Sequence, residues 1–99
     1  QTPLVIAIKK RQEEHVRLLL TAPGIDVNKT DTQGYTPLRW AAYMNHIQSV
    51  TLLLRKDGII INKGDPEGYT PLFWAHYVGA TECAQLLIAA GGKDIRTRK

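Results

Sequence analysis

Thr2-Pro3-Leu4 recurs as Thr36-Pro37-Leu38 and again as Thr70-Pro71-Leu72, with an offset of 34 residues each time. Sixteen residues after each threonine an apolar triplet begins: Leu18-Leu19-Leu20, Leu52-Leu53-Leu54 and Leu86-Leu87-Ile88. Gly34-Tyr35 and Gly68-Tyr69 precede the second and third Thr-Pro-Leu in the same register. Three copies in phase mean one structural unit used three times. A unit this small cannot bury its apolar face alone, so its neighbours must stack on it.

The chemistry within the repeat sets the kind of unit. Threonine ahead of proline reads as a helix start: the hydroxyl caps an orphan backbone N–H and proline suits the first helical position. Asp31-Thr32-Gln33-Gly34 and Asp65-Pro66-Glu67-Gly68 are turn sequences. Each unit therefore runs turn, short helix, second helix, loop. Tetratricopeptide units share a period of about 34 residues, but they lack the extended turn, and their Trp…Leu-Gly…Tyr signature is absent.

Asp31-x-x-Gly34-x-Thr36-Pro37-Leu38-x-x-Ala41-Ala42, followed by Asn45-His46, Val50 and Leu52-Leu53-Leu54, resembles an ankyrin repeat. Ile25-Asp26-Val27-Asn28 is similar to the loop that closes such repeats. The resemblance implies an all-α solenoid of three stacked helix-turn-helix units joined by hairpin-like loops. Its units are expected at residues 1–33, 34–67 and 68–99, as a piece of a longer array. Inner helices and hairpin tips would form a concave face. The family period is about 33, so an extra residue is expected after the second helix, with Pro23-Gly24 a candidate. Arg11 and Asn45 stand where the family has a mid-repeat glycine, which Gly79 keeps; His76 replaces an alanine.

Inner helices are expected near 3–10, 37–44 and 71–78, outer helices near 13–21, 47–55 and 81–90. Ala7, Ala41, Ala42 and Ala75 let inner helices approach one another. Val16, Leu18, Leu19, Val50, Leu52, Leu53, Leu86 and Leu87 are expected in the core, where a fully buried side chain of this type contributes roughly 1.5–3 kcal/mol.

Composition narrows the function. The net charge is +4, but its clusters, Lys9-Lys10-Arg11 and Arg96, Arg98, Lys99, lie near opposite ends of the chain. Nucleic-acid binders gather such charge on one face, so nucleic acid or an acidic membrane is the weaker reading. The longest apolar runs, such as Ile59 to Ile61, are far short of the roughly 18 residues of a transmembrane helix. One cysteine, Cys83, allows no internal disulfide and agrees with an intracellular setting, cytoplasm or nucleus. An effector secreted into a host cytosol fits the same features.

The expected activity is recognition of a protein partner, as a scaffold or adaptor. The alternative is a targeting or substrate-recruiting module of a larger signalling protein, enzyme or secreted bacterial effector. The seven aromatics, Tyr35, Trp40, Tyr43, Tyr69, Phe73, Trp74 and Tyr77, all lie in the second and third units. The resemblance places Tyr35 and Tyr69 on hairpin arms, and Tyr43 and Tyr77 on the concave helix surface. Two readings stand: an aromatic strip that docks a partner, or tryptophans buried between repeats with tyrosines covering their edges. Family geometry adds Thr32, Gln33, Pro66 and Glu67 at hairpin tips, Lys9, Lys10, Met44 and Val78 on the inner-helix surface, and Arg39 and Phe73 in the variable slot near the helix start.

Nothing points to catalysis. His15, His46 and His76 fall on different units without zinc-ligand spacing, and no glycine-rich phosphate loop opens a helix. The aspartates at 26, 31, 57 and 65 read as turn formers. Cys83 occupies a buried aliphatic position of the family, and His46 a histidine that braces the loop. No metal, cofactor or small-molecule substrate is expected. Asparagines like Asn28 and Asn62 are hydroxylated in some ankyrin loops; the expectation here is that each instead bonds to its own turn.

Overall fold

Thr2, Thr36 and Thr70 hold extended backbone and each accepts the backbone N–H three residues on, from Val5 (3.0 Å), Arg39 (3.1 Å) and Phe73 (3.3 Å). Those caps open the inner helices α1 (Pro3–Lys9), α3 (Pro37–Tyr43) and α5 (Pro71–Val78). The outer helices are α2 (Glu13–Leu20), α4 (Ile47–Leu54) and α6 (Thr81–Ala89). The computed structural model describes residues 2–94; the basic residues Arg96, Arg98 and Lys99 and the end of the third unit lie outside them.

Each inner helix stops in the same way. Gln12, His46 and Ala80 donate their backbone N–H to the carbonyls of Ala7 (3.0 Å), Ala41 (2.9 Å) and Ala75 (2.8 Å). Such closure puts the preceding residue in the left-handed region. Gly79 takes it freely at φ 77°, whereas Arg11 and Asn45 are held there at 56° and 54°. The family's glycine is therefore replaced in sequence but kept in conformation. The outer-helix loops show where the period lengthens. Left-handed Gly24, Gly58 and Gly91 follow helices ending at Leu20, Leu54 and Ala89. The first two loops are longer than the third, which puts the extra residue just ahead of Gly24 and Gly58.

Inner helices pack on inner helices and outer on outer, while each pair closes on itself. The seam between the two layers holds Leu4, Ala7, Ile8, Val16, Leu38, Ala41, Ala42, Val50, Leu53, Ala75, Cys83 and Leu87, all buried. The apolar triplets do not enter it whole. Leu53 and Leu87 are buried, Leu19, Leu52 and Leu86 are half-buried, and Leu18 is 61% exposed. Three consecutive helical residues fan over about 200° of the helix, more than one buried stripe can take.

Two asparagines fasten the loops to one another. The Asn28 side chain donates to the Gly58 carbonyl (2.8 Å) and accepts the Ile60 N–H (2.8 Å). Asn62 repeats this with the Gly91 carbonyl (3.1 Å) and the Lys93 N–H (2.7 Å). This corrects the expectation that each asparagine bonds its own turn: the partner is the loop of the next unit. The hairpins touch as well. Gly34, at φ 86°, faces Pro66, and a Cβ there would lie 2.6 Å from its ring.

Candidate functional site on the concave face

The site begins with two turn aspartates. Asp31 Oδ1 accepts the N–H groups of Gln33 (2.9 Å) and Tyr35 (3.0 Å), as a turn former should. Its Oδ2 accepts the Trp40 indole N–H at 2.9 Å. Asp65 does the same with Glu67, Tyr69 and the Trp74 indole, the last at 2.8 Å. Burial works against ionisation of Asp31, but the bonds from Tyr35, Trp40 and Gln33 and the charge of Lys9 outweigh it and hold its pKa below the usual value. Sequence reasoning found the turns and missed the indole clamp. The signal was available: an aspartate nine residues before a tryptophan, repeated at the 34-residue offset.

Pinned in this way, the half-buried tryptophans anchor a continuous column of rings. Tyr35 meets Trp40 edge to face at 5.7 Å, Trp40 meets Tyr43 at 6.1 Å, and Tyr43 crosses to Trp74 at 5.5 Å. Trp74 then contacts Tyr69, Phe73 and Tyr77, and Phe73 stacks between Tyr69 and Tyr77. All seven aromatics of the chain belong to this one cluster. Its solvent side is formed by Tyr43, 39% exposed, and Tyr77, 71% exposed. In the first unit Lys9 stands where Tyr43 stands in the second. Its ammonium lies 4.6 Å from the Trp40 ring centre, repeating the packing of Tyr43 on Trp74 with a cation.

Arg39 departs from expectation. Placed in the variable slot as a surface contact, it is buried, with 6% of its area exposed. Its guanidinium sits 3.9 Å from the Tyr35 ring centre, 4.4 Å from Tyr43, and 4.7 Å from both Trp40 and Trp74. A planar, weakly hydrated cation can enter such a cage because ring faces attract it. Burial lowers its pKa while Tyr35, Asp65, Tyr43 and Asp31 oppose the shift; a guanidinium stays charged regardless.

The remaining candidates divide by location. Thr32, Gln33, Pro66 and Glu67 are exposed at the hairpin tips, with Pro66 also packed on Gly34. Lys10 is exposed at the end of α1, and Val78 is 40% exposed beside Tyr77. Met44 is half-buried, and its carbonyl accepts a bond from Arg11 Nη1 at 2.9 Å. Phe73, Tyr35 and Tyr69 are half-buried within the column.

Away from this face the buried titratable groups His46 and Cys83 are structural. His46 is buried, with Nδ1 2.8 Å from Ser49 Oγ and Nε2 3.6 Å from a Glu13 carboxylate oxygen. Burial first, and the Arg11 charge second, lower its pKa against the pull of Glu13. Cys83 is buried, and desolvation chiefly pushes its thiol up to about 11, leaving it protonated and unreactive at neutral pH. Among the described residues no cluster of histidine, cysteine or acidic side chains is placed to hold a metal. No described helix is long and apolar enough to cross a membrane.

The family pattern of ankyrin repeats, in three copies, matches residues 4–99. The chain belongs to the ankyrin-repeat family. Comparison with curated proteins found no match. Ankyrin repeats are in general protein–protein interaction modules rather than catalysts. In this ankyrin domain the inner helices and hairpins carry the ring column, and the inner and outer helices together form the aliphatic seam.

Proposed function

We propose that this domain recognises a partner protein on its concave face, using the ring column and the hairpin tips, and that it performs no catalysis. The carrying observation is that Tyr43 and Tyr77 project from a rigid aromatic base yet remain 39% and 71% exposed. Tyrosine held in this way offers contact area at little entropic cost, and aromatic anchors dominate binding energy. Lys9, Lys10, Met44 and Val78 flank the column, while Thr32, Gln33, Pro66 and Glu67 form its outer rim. Each repeat, 1–33, 34–67 and 68–99, contributes part of this surface. An intracellular scaffold or adaptor is the reading that fits a reduced, buried Cys83; recruitment of substrate to a larger protein uses the same surface.

The test is affinity capture from lysate with the wild-type domain and a Tyr43→Ser, Tyr77→Ser variant of equal helicity. The reading requires a protein retained by the first and lost by the second. Equal capture by both would exclude the concave column as the binding site.

A further inference from the structure

Arg39 is the one feature of the column that repeat architecture does not require. The same slot holds Val5 in the first unit and Phe73 in the third. The slot is thus satisfied by apolar side chains, and a cation there is specific to the second unit. Arg39 is more than nine-tenths buried, and its Nε and Nη1 have no hydrogen-bond partner among the described residues. The nearby acids are engaged elsewhere: Asp31 and Asp65 each hold two turn N–H groups and an indole. Ring faces attract the charge but do not replace in-plane acceptors for these donors. A buried donor left without an acceptor carries its full desolvation penalty, which an anionic acceptor would remove.

Resting on the concave-face reading above, we propose that Arg39 is the receptor for a carboxylate of the partner. The partner segment places an aspartate or glutamate side chain on the guanidinium and its apolar neighbours on Tyr43 and Tyr77. Charge complementarity favours this occupant, because Lys9 over the Trp40 ring adds a second cation to the column, whose two carboxylates, Asp31 and Asp65, are already engaged by turn N–H groups and indoles. Tyr43, at the solvent side of the cage, is the ring whose rotation opens the guanidinium to the incoming acid.

A random peptide library displayed on phage, selected in parallel on wild type, Arg39→Met and Tyr43→Ser, Tyr77→Ser, tests this. Wild type should enrich peptides with Asp or Glu at a fixed distance from apolar residues, and Arg39→Met should lose the acidic position. Replacing that acid by its amide in a synthetic consensus peptide should weaken binding to wild type about ten- to hundredfold, the scale of one charged hydrogen bond, and leave binding to Arg39→Met unchanged. A wild-type selection without an acidic position, or an equal amide effect in both proteins, overturns the proposal. A duplex DNA probe that binds wild type and not Arg39→Met also overturns it, by assigning the cation to phosphate. The amide comparison on wild type needs no protein variant to fold. Selection of the same peptides by the double tyrosine variant would instead refute the role of Tyr43 and Tyr77 on which the concave-face reading rests.

Discussion

The aliphatic seam and the aromatic column lie on either side of the same inner helices and obey different rules. In the seam, Leu38, Val50, Leu53 and Leu87 are wholly buried and have only aliphatic shape to offer. In the column, rings are half-covered, two indoles are clamped by aspartates, and a cation is enclosed with two of its nitrogens lacking a hydrogen-bond acceptor among the described residues. Close packing fixes the seam completely. The column is built on that fixed base but leaves Tyr43 and Tyr77 uncommitted. Stability should therefore be concentrated in the seam, and recognition in the column.

The largest expected effect is in the seam. Leu53→Ala should cost about 2–5 kcal/mol, a large part of the roughly 5–15 kcal/mol typical of a domain. Urea denaturation would read it, and a cost below about 1 kcal/mol would show that the seam does not carry the fold. Next comes the base of the column. Asp65→Ala leaves the Trp74 indole and two turn N–H groups without their acceptor, and should cost about 1–3 kcal/mol with a shift in tryptophan emission. Unchanged emission would separate the clamp from the rings.

A pH series sharpens the contrast further. His46 has a folded pKa below its unfolded value of about 6.5. The unfolded chain therefore takes up a proton first. Stability is complete above that pH and should fall as pH drops through the folded value. Asp31, also lowered, should contribute a second loss below its ordinary value of 3.8. His46→Gln should remove the first of these steps; its persistence would place the titration elsewhere. The smallest stability effect belongs to Tyr77→Ser on the open side of the column, expected within about 0.5 kcal/mol by the same denaturation assay. A loss as large as that of Leu53→Ala would make Tyr77 core and erase the distinction.

The repeat, the caps and the helix positions were legible because they rest on local rules: threonine before proline, a turn before the cap, a fixed phase. The left-handed ends at Arg11 and Asn45 were legible mainly through the register, since asparagine favours that backbone but arginine does not announce it. Side-chain burial was harder to read. Three consecutive leucines look alike in sequence, and only the direction of each helix decides that Leu53 is inside and Leu18 outside. Arg39 looked like a surface contact because an isolated arginine belongs in water. Its burial depends on four rings from two units and three elements, a long-range arrangement without a local signature. The pairing of Asn28 with the loop around Gly58 is hidden for the same reason.

The proposed binding surface is the exposed part of the ring column and not the outer-helix surface. An NMR titration of the domain with the captured partner tests it most directly, following the backbone amides and the two indole N–H signals together. The largest changes are expected at Tyr43, Met44, Tyr77, Val78 and the hairpin tips, with both indoles still hydrogen-bonded and α2, α4 and α6 unmoved. Changes concentrated on α2, α4 and α6, with Tyr43 and Tyr77 silent, would contradict it.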